Sequence, residues 1–295
     1  MDFDWNIIGH KKQLEFLATA LKQDRVAHAY TFAGPEGIGK RTVARRFAQI
    51  LLCENNSACG LCIQCKSFLA GNNADMIELV SSDSIKIEQV RELIYKLSLK
   101  PYMARCKVAV IDNAENLTGD AANALLKSLE EPKEQTVIIL ISAVPDRLPK
   151  TVLSRTQKLI FAPLSDEEME TASIWDSVSR QGALAKILAA NRPGWAKKIL
   201  AGGEFSEKAV FAHELFDRFA QNDEINRLLL VSDLAELETP DLKGMLDFWL
   251  IRLEKEFLRQ PSARLLKTIS GIFLARRQID QNLNSKLVFS GLAIS

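Results

Sequence analysis

"AHAYTFAGPEGIGKRTVARRFAQILLC", residues 27–53, decides the fold. It opens with a short run of strand character and turns through glycines. It then continues with Val43, Phe47, Ile50 and Leu51 at helical spacing. In the turn stand Gly34, Gly37, Gly39 and Lys40. The pattern G-x-x-x-x-G-K-[ST], set between a strand and a helix, describes a loop that turns backbone N–H groups onto phosphates. The helix N-terminus adds partial positive charge, and glycines allow the φ angles and the close approach. Gly34, Gly39 and Lys40 fit, and Lys40 is expected to reach the β and γ phosphates of a nucleotide. The position that should carry a metal-binding hydroxyl is Arg41. A guanidinium is always charged and has no lone pair for Mg²⁺. Thr42 is the nearest hydroxyl, but it falls about 100° further round the helix.

Outward from the loop, strands and helices alternate. Leu14, Leu17 and Leu21 mark a helix before it. "IKIEQVRELIYKLSL" reads as a helix, "CKVAVID" as an apolar strand, "GDAANALLKSLEEP" as a helix ended by Pro132, and "TVIILISA" as a fully apolar strand. "LPKTVLSRTQKLIFAPL" adds a turn and a short strand. Continuous apolar strands between helices predict a parallel sheet covered on both faces. The alternation ends near Pro163, and from Ser165 the chain reads as helical throughout. Gly202 and Gly203 suggest a boundary within that part. Three segments are therefore expected, 1–163, 164–203 and 204–295.

"VAVIDNAENL" ends a strand on Asp112. An acid there can organise Mg²⁺ around a nucleotide, or it can simply cap the next helix; both readings stay open. The next position, where hydrolysing proteins of this class place a glutamate that activates water, is Asn113. A neutral amide cannot take up that proton. Glu115 is expected to point elsewhere. Gly34, Gly37, Gly39, Lys40, Thr42 and Asp112 are the candidate nucleotide-binding residues.

Four of five cysteines crowd into residues 53–65, as Cys53, Cys59, Cys62 and Cys65. Four thiolates with two-residue gaps suit a tetrahedral, closed and therefore structural Zn²⁺ site; spacing alone does not separate it from iron–sulfur ligation. Cys106 reads as an ordinary, partly buried thiol. His10, His28 and His213 form no triad or ligand pattern, and Trp175, Trp195 and Trp249 read as core. The formal net charge of +1 supplies no global field for nucleic acid. The N-terminus opens acidic without an apolar stretch, and the longest apolar runs are about half of a membrane span of ~20 residues. A cytoplasmic protein, away from membranes, is expected.

Together, "HAYTFAGPEGIGK", the four-cysteine insert, "CKVAVIDNAENLTGDAANALLKSLEEP" and "LPKTVLSR" make the chain similar to delta-prime subunits of bacterial DNA polymerase III clamp loaders, within the AAA+ superfamily. The likeness runs from residue 5 to about 163. Beyond 165 it rests on length and helical character. It implies an α/β AAA+ phosphate-loop domain with a parallel sheet, a small helical lid and an all-α C-terminal collar. The implied partners are motor subunits and delta in a hetero-pentamer that places a sliding clamp on primed DNA. The implied cofactors are structural Zn²⁺, with ATP or ADP held without turnover. Ser154 and Arg155 match the family's Ser-Arg-Cys motif, with Thr156 in place of the cysteine. By that resemblance Arg155 acts in trans as an arginine finger at a neighbour's ATP site. Local sequence alone favours a surface ion-pair residue, and the resemblance reverses that reading. Ser142 stands at the first sensor position and Lys197 at the second, where a solvated helix face explains the lysine as well. Three other readings remain. A motor subunit requires turnover despite Arg41 and Asn113, a zinc-containing DNA-binding module requires salt-dependent DNA affinity, and a small-molecule kinase requires a phosphoacceptor pocket.

Overall fold

The glycine loop joins a buried strand to a helix in a computed structural model that describes residues 3–81, 83–175, 181–221, 224–235 and 237–294. Helix α1 (Lys11–Lys22) precedes β1 (Ala29–Ala33), and α2 (Lys40–Leu52) follows the loop. Then come α3 (Ile63–Leu69), β2 (Met76–Val80), α4 (Ile87–Ser98), β3 (Lys107–Asp112) and α5 (Gly119–Glu130). The strands β4 (Thr136–Ser142) and β5 (Gln157–Ile160) flank the short α6 (Lys150–Leu153), and α7 (Asp166–Glu170) comes next. Residues 1–169 form one compact unit.

All four strand pairings are parallel, in the order β2-β3-β4-β1-β5. The apolar strands show why both faces must be covered. Alternate side chains point to opposite faces. Val108, Val110, Ile139 and Ile141 therefore join Leu17, Phe32, Val43 and Phe47 in one core. Ala109, Ile111, Ile138 and Leu140 join Leu93, Leu125 and Val152 in the other. Each Val, Leu, Ile or Phe among them taken from water is worth about 1.5–3 kcal/mol. β2 carries no apolar run of that kind and sits half-buried at the sheet edge. Neither β2 nor α3 is foreseen from the sequence.

At the C-terminal end of β1, three strand ends converge on the loop. Gly34 N–H donates to the Ser142 carbonyl at 3.1 Å, and Phe161 N–H donates to the Ala33 carbonyl at 2.7 Å. A Cβ on Gly34, whose φ is +148°, would lie 2.1 Å from the Phe161 carbonyl oxygen. Only glycine fits there.

The second compact unit, residues 170–295, is helical: α8 (Gln181–Ala189), α9 (Pro193–Ala201), α10 (Glu204–Gln221), α11 (Glu224–Ala235), α12 (Thr239–Arg259), α13 (Ala263–Asp280) and α14 (Ser285–Ile294). Its core gathers Phe216, Phe219, Leu246, Trp249, Ile272 and Phe289. Trp249 is buried, and its indole N–H donates to the Ala212 carbonyl at 2.7 Å. Trp195 is buried against Phe248, with ring centroids 4.7 Å apart. Trp175 departs from the expected core role. It sits half-buried in a single 3₁₀ turn (Ser173–Trp175), with the Lys186 ammonium 5.3 Å from its ring. The histidines have local partners: the Ile38 carbonyl for His10, the Leu129 carbonyl for His28, and Arg252 with Asp217 for His213. Among the described residues no helix is long and apolar enough to cross a membrane.

Candidate functional site

The loop has the backbone of a phosphate cradle. Gly37 and Gly39 take φ of +74° and +102°, and Gly39 precedes the first turn of α2. The lysine that should reach outward is folded inward. Lys40 Nζ donates to the Gly34 carbonyl at 2.5 Å and the Pro35 carbonyl at 2.7 Å, and the residue is buried. An incoming phosphate competes with two carbonyl oxygens for this ammonium.

Arg41 is the central departure. Its Nε lies 3.8 Å from Asp112 Oδ2, and its Nη2 lies 3.7 Å from Glu78 Oε2. Arg45, one turn along α2, makes a closer contact with the same Glu78 oxygen. The guanidinium thus stands beside the acid that would hold a metal. Burial pushes the Asp112 carboxyl above the usual carboxylate range. The Arg41 charge and the Asn113 N–H act against that rise, and Glu115 adds to it. Thr42 is exposed on the first turn of α2.

Asn113 sits in the left-handed region (φ +53°), which asparagine tolerates well. Its N–H donates to Asp112 Oδ1 at 3.1 Å, and its side-chain amide donates to the Ser81 carbonyl at 3.0 Å. Glu115 Oε1 accepts the Ala143 N–H at 2.9 Å, at the end of β4. Ser142, fully buried, accepts the Val144 N–H on its hydroxyl at 3.2 Å. Its side chain therefore serves the backbone turn after β4. Lys197 is exposed on α9, in the second unit.

Ser154 and Arg155 lie just after α6. Arg155 Nη1 donates to the Thr151 carbonyl at 2.9 Å and to Ser154 Oγ at 3.3 Å, and Nη2 lies 2.7 Å from Glu130 Oε1. Its side chain is about a third exposed (36%), as is roughly half of Glu130 (48%). Thr156 turns inward instead. Its hydroxyl lies 2.7 Å from that of Thr31 on β1 and fastens the segment to that strand.

The four clustered cysteines come together. Cys53 ends α2 and Cys62 begins α3, with Cys62 Sγ accepting the Cys65 N–H at 3.3 Å. Cys59 Sγ accepts the Cys62 N–H at 3.4 Å. All four sulfurs lie within 4.8 Å of one another, with Cys53 to Cys59 at 3.6 Å and Cys53 to Cys62 at 3.9 Å. Four thiolates at ~2.3 Å from a tetrahedral Zn²⁺ would stand roughly 3.8 Å apart, so the group could hold such an ion. Burial resists ionisation of Cys53, yet N–H groups of Cys59, Ser57 and Asn55 bring its thiol down to about 6. Cys106 lies outside the cluster, and burial raises it to about 11.

Two acids carry much of the local order without any signal in the sequence. Glu78 ties β2 to α2 through Arg41 and Arg45. Asp75 is 1% exposed and accepts the Tyr102 N–H at 2.7 Å and those of Met103 and Ala104 at 2.9 Å. The ammonium of buried Lys107 lies 3.6 Å away. Burial pushes this carboxyl up, but the three N–H groups and Lys107 outweigh it and hold it below the usual range.

A five-stranded parallel sheet with a glycine loop after the interior strand β1, and a helical unit behind it in sequence, defines an α/β phosphate-loop protein of the AAA+ type. The same fold occurs in a DNA polymerase III gamma-subunit-related protein from Thermotoga maritima. The TM-score is 0.50 at 16% identity, over 94% of this chain and 97% of that one. Residues 9–165 match the family described as DNA polymerase III, delta subunit, and the chain belongs to that family of clamp-loader subunits. It is 34% identical over 210 residues to DNA polymerase III subunit delta' of Bacillus subtilis, covering 69% of this chain and 63% of that protein. It is 37% identical over 167 residues to subunit tau/gamma of Haemophilus influenzae, covering 56% of this chain. The chain spans only about a quarter (24%) of that relative's length.

Proposed function

We propose that this DNA polymerase III clamp-loader subunit acts in replication as a hydrolysis-deficient scaffold that completes the active site of a neighbouring ATPase. The observation that carries the reading is Arg41 beside Asp112. A motor needs an oxygen ligand at position 41, a free acid at 112 and a base at 113. This chain has a guanidinium, a paired acid and an amide bound to the Ser81 carbonyl.

In this reading Arg155 is the finger and Ser154 braces it. Exposed ion pairs are worth about 0.2–1 kcal/mol, so the contact with Glu130 restrains Arg155 only weakly. A finger supplied in trans accelerates phosphoryl transfer by ~10³–10⁵. That stabilisation of the transition state far exceeds the cost of leaving Glu130. Cys53, Cys59, Cys62 and Cys65 hold one structural Zn²⁺. The helices of 164–203 form a lid, and those of 204–295 a collar that joins motor subunits and delta in a hetero-pentamer. Sliding clamp and primed DNA are engaged through that complex, in the cytoplasm. Nucleotide at Lys40 is held without turnover.

The test is Arg155→Ala in the reconstituted loader. Assembly should persist while DNA-stimulated ATPase falls at least tenfold at the site that Arg155 serves. Unchanged ATPase in the assembled variant removes the finger assignment. ATP turnover by the purified chain, abolished by Lys40→Ala, makes the subunit a motor instead.

A further inference from the structure

We infer that the loop formed by Gly34, Gly37, Gly39 and Lys40 takes the phosphates of a nucleoside di- or triphosphate without Mg²⁺, and that Arg41 supplies the positive charge the metal would otherwise bring. The inference rests on the reading above that this loop can hold a nucleotide without turning it over.

Mg²⁺ does not fit the residues present. It requires near-octahedral oxygen ligands at about 2.0–2.1 Å. The loop hydroxyl that should supply one is replaced by Arg41, a group with donors only. The acid that should supply another, Asp112, has that guanidinium 3.8 Å away. A divalent cation placed there meets a fixed positive charge and loses both ligands. Thr42, the nearest hydroxyl in sequence, is exposed on the first turn of α2 and is one residue out of place.

The same arrangement suits an anion. Arg41 is not the sole counter-ion of Glu78, because Arg45 makes the closer contact with that carboxylate. Arg41 can therefore move onto a phosphate without stranding Glu78. Asp112 Oδ1 keeps the Asn113 N–H as a partner, at 3.1 Å, when Arg41 moves away. The Arg41 side chain is 44% exposed, so its reorientation opens no core. A guanidinium grips phosphate through two parallel N–H bonds. Lys40 adds a second charge once it leaves the Gly34 and Pro35 carbonyls. Two monovalent groups replace the usual lysine and divalent metal, so binding is weaker than in a metal-dependent loop and gains nothing from Mg²⁺.

The test is calorimetric titration of the full chain with ADP, once in Mg²⁺ and once in EDTA. Mg²⁺ should not tighten binding, and should weaken it to the extent that it withdraws ADP as the Mg²⁺ complex in solution; Lys40→Ala should abolish binding in both buffers. Arg41→Ser, which restores the loop hydroxyl, should weaken binding in EDTA by roughly 10- to 100-fold, the worth of a charged hydrogen-bond pair. Mg²⁺ should then recover at least about tenfold, because a metal ligand is back in place. Arg41→Gln, close in length, repeats the EDTA measurement if the serine variant fails to fold. Wild-type binding at least tenfold tighter in Mg²⁺ overturns the inference, as does no binding in either buffer. So does binding that survives Lys40→Ala, or that Arg41→Ser or Arg41→Gln leaves unchanged in EDTA. Mg²⁺-dependent ADP binding without ATP turnover would end this inference and leave the scaffold reading standing. Turnover would end the scaffold reading itself.

Discussion

Replacing Asp75 by alanine strands three backbone N–H groups and a lysine ammonium at once. The carboxylate is the acceptor for three consecutive N–H groups and the counter-ion of a lysine that is itself 5% exposed. Breaking a buried pair by removing one partner costs about 3–5 kcal/mol, because the remaining charge has nowhere to go. That is a large share of the ~5–15 kcal/mol that holds a domain folded. At about 2–4 °C per kcal/mol for a unit of this size, the melting temperature of the sheet unit should fall by roughly 6–20 °C. Urea unfolding of the full chain measures the loss, and hydrogen exchange at Tyr102, Met103 and Ala104 locates it. Adding Lys107→Met removes the stranded ammonium and should recover part of the stability, though not all, since three N–H groups stay unpaired. A loss below about 1 kcal/mol, or a double variant no more stable than the single one, refutes the reasoning. The pH dependence has a fixed sign. The carboxyl is held below its ordinary 3.8, so its contribution is complete above that value and fades as pH falls through the folded-state value.

The cysteine cluster should return one zinc ion per chain by elemental analysis, and Cys59→Ser or Cys62→Ser should lose it; a metal-free protein rules out the site, and iron reassigns it. His10 should make stability rise with pH up to about 6.5. Burial is the main cause holding its folded-state value below 6.5, so the unfolded chain binds more protons between the two values. Unfolding free energies at pH 5.5 and 7.5 should differ less in His10→Gln, and an unaltered difference counts against the assignment.

Range decides which features are legible in the sequence. The loop, β1, β3 and β4 were visible because their signals are local: glycines at fixed spacing, then apolar runs such as "TVIILIS" that need cover on both faces. Arg41 and Asn113 were informative because their chemistry excludes a role whatever surrounds them. β2 was hidden because an edge strand needs only half the burial, and "MIELV" interrupts its apolar character with Glu78. Glu78 itself could not be foreseen, since its partners Arg41 and Arg45 lie more than thirty residues earlier and meet it only through the sheet order. The inward fold of Lys40 and the hold of Glu130 on Arg155 are choices of rotamer, which no spacing encodes. Trp175 misled because aromatic bulk near helices usually means core.

The strand order also sets a timetable. β1 pairs with β4 and β5 alone, and Ala29 meets Ile138, more than a hundred residues later in the chain. While the protein is being made, the apolar "AYTFA" has no partner until β4 emerges, about 5–20 s later at ~5–20 residues per second. The glycine loop hangs from the end of that strand, so it too stays unformed through the wait. A nascent chain halted near residue 130 would carry this buried strand bare, and there a chaperone should find it.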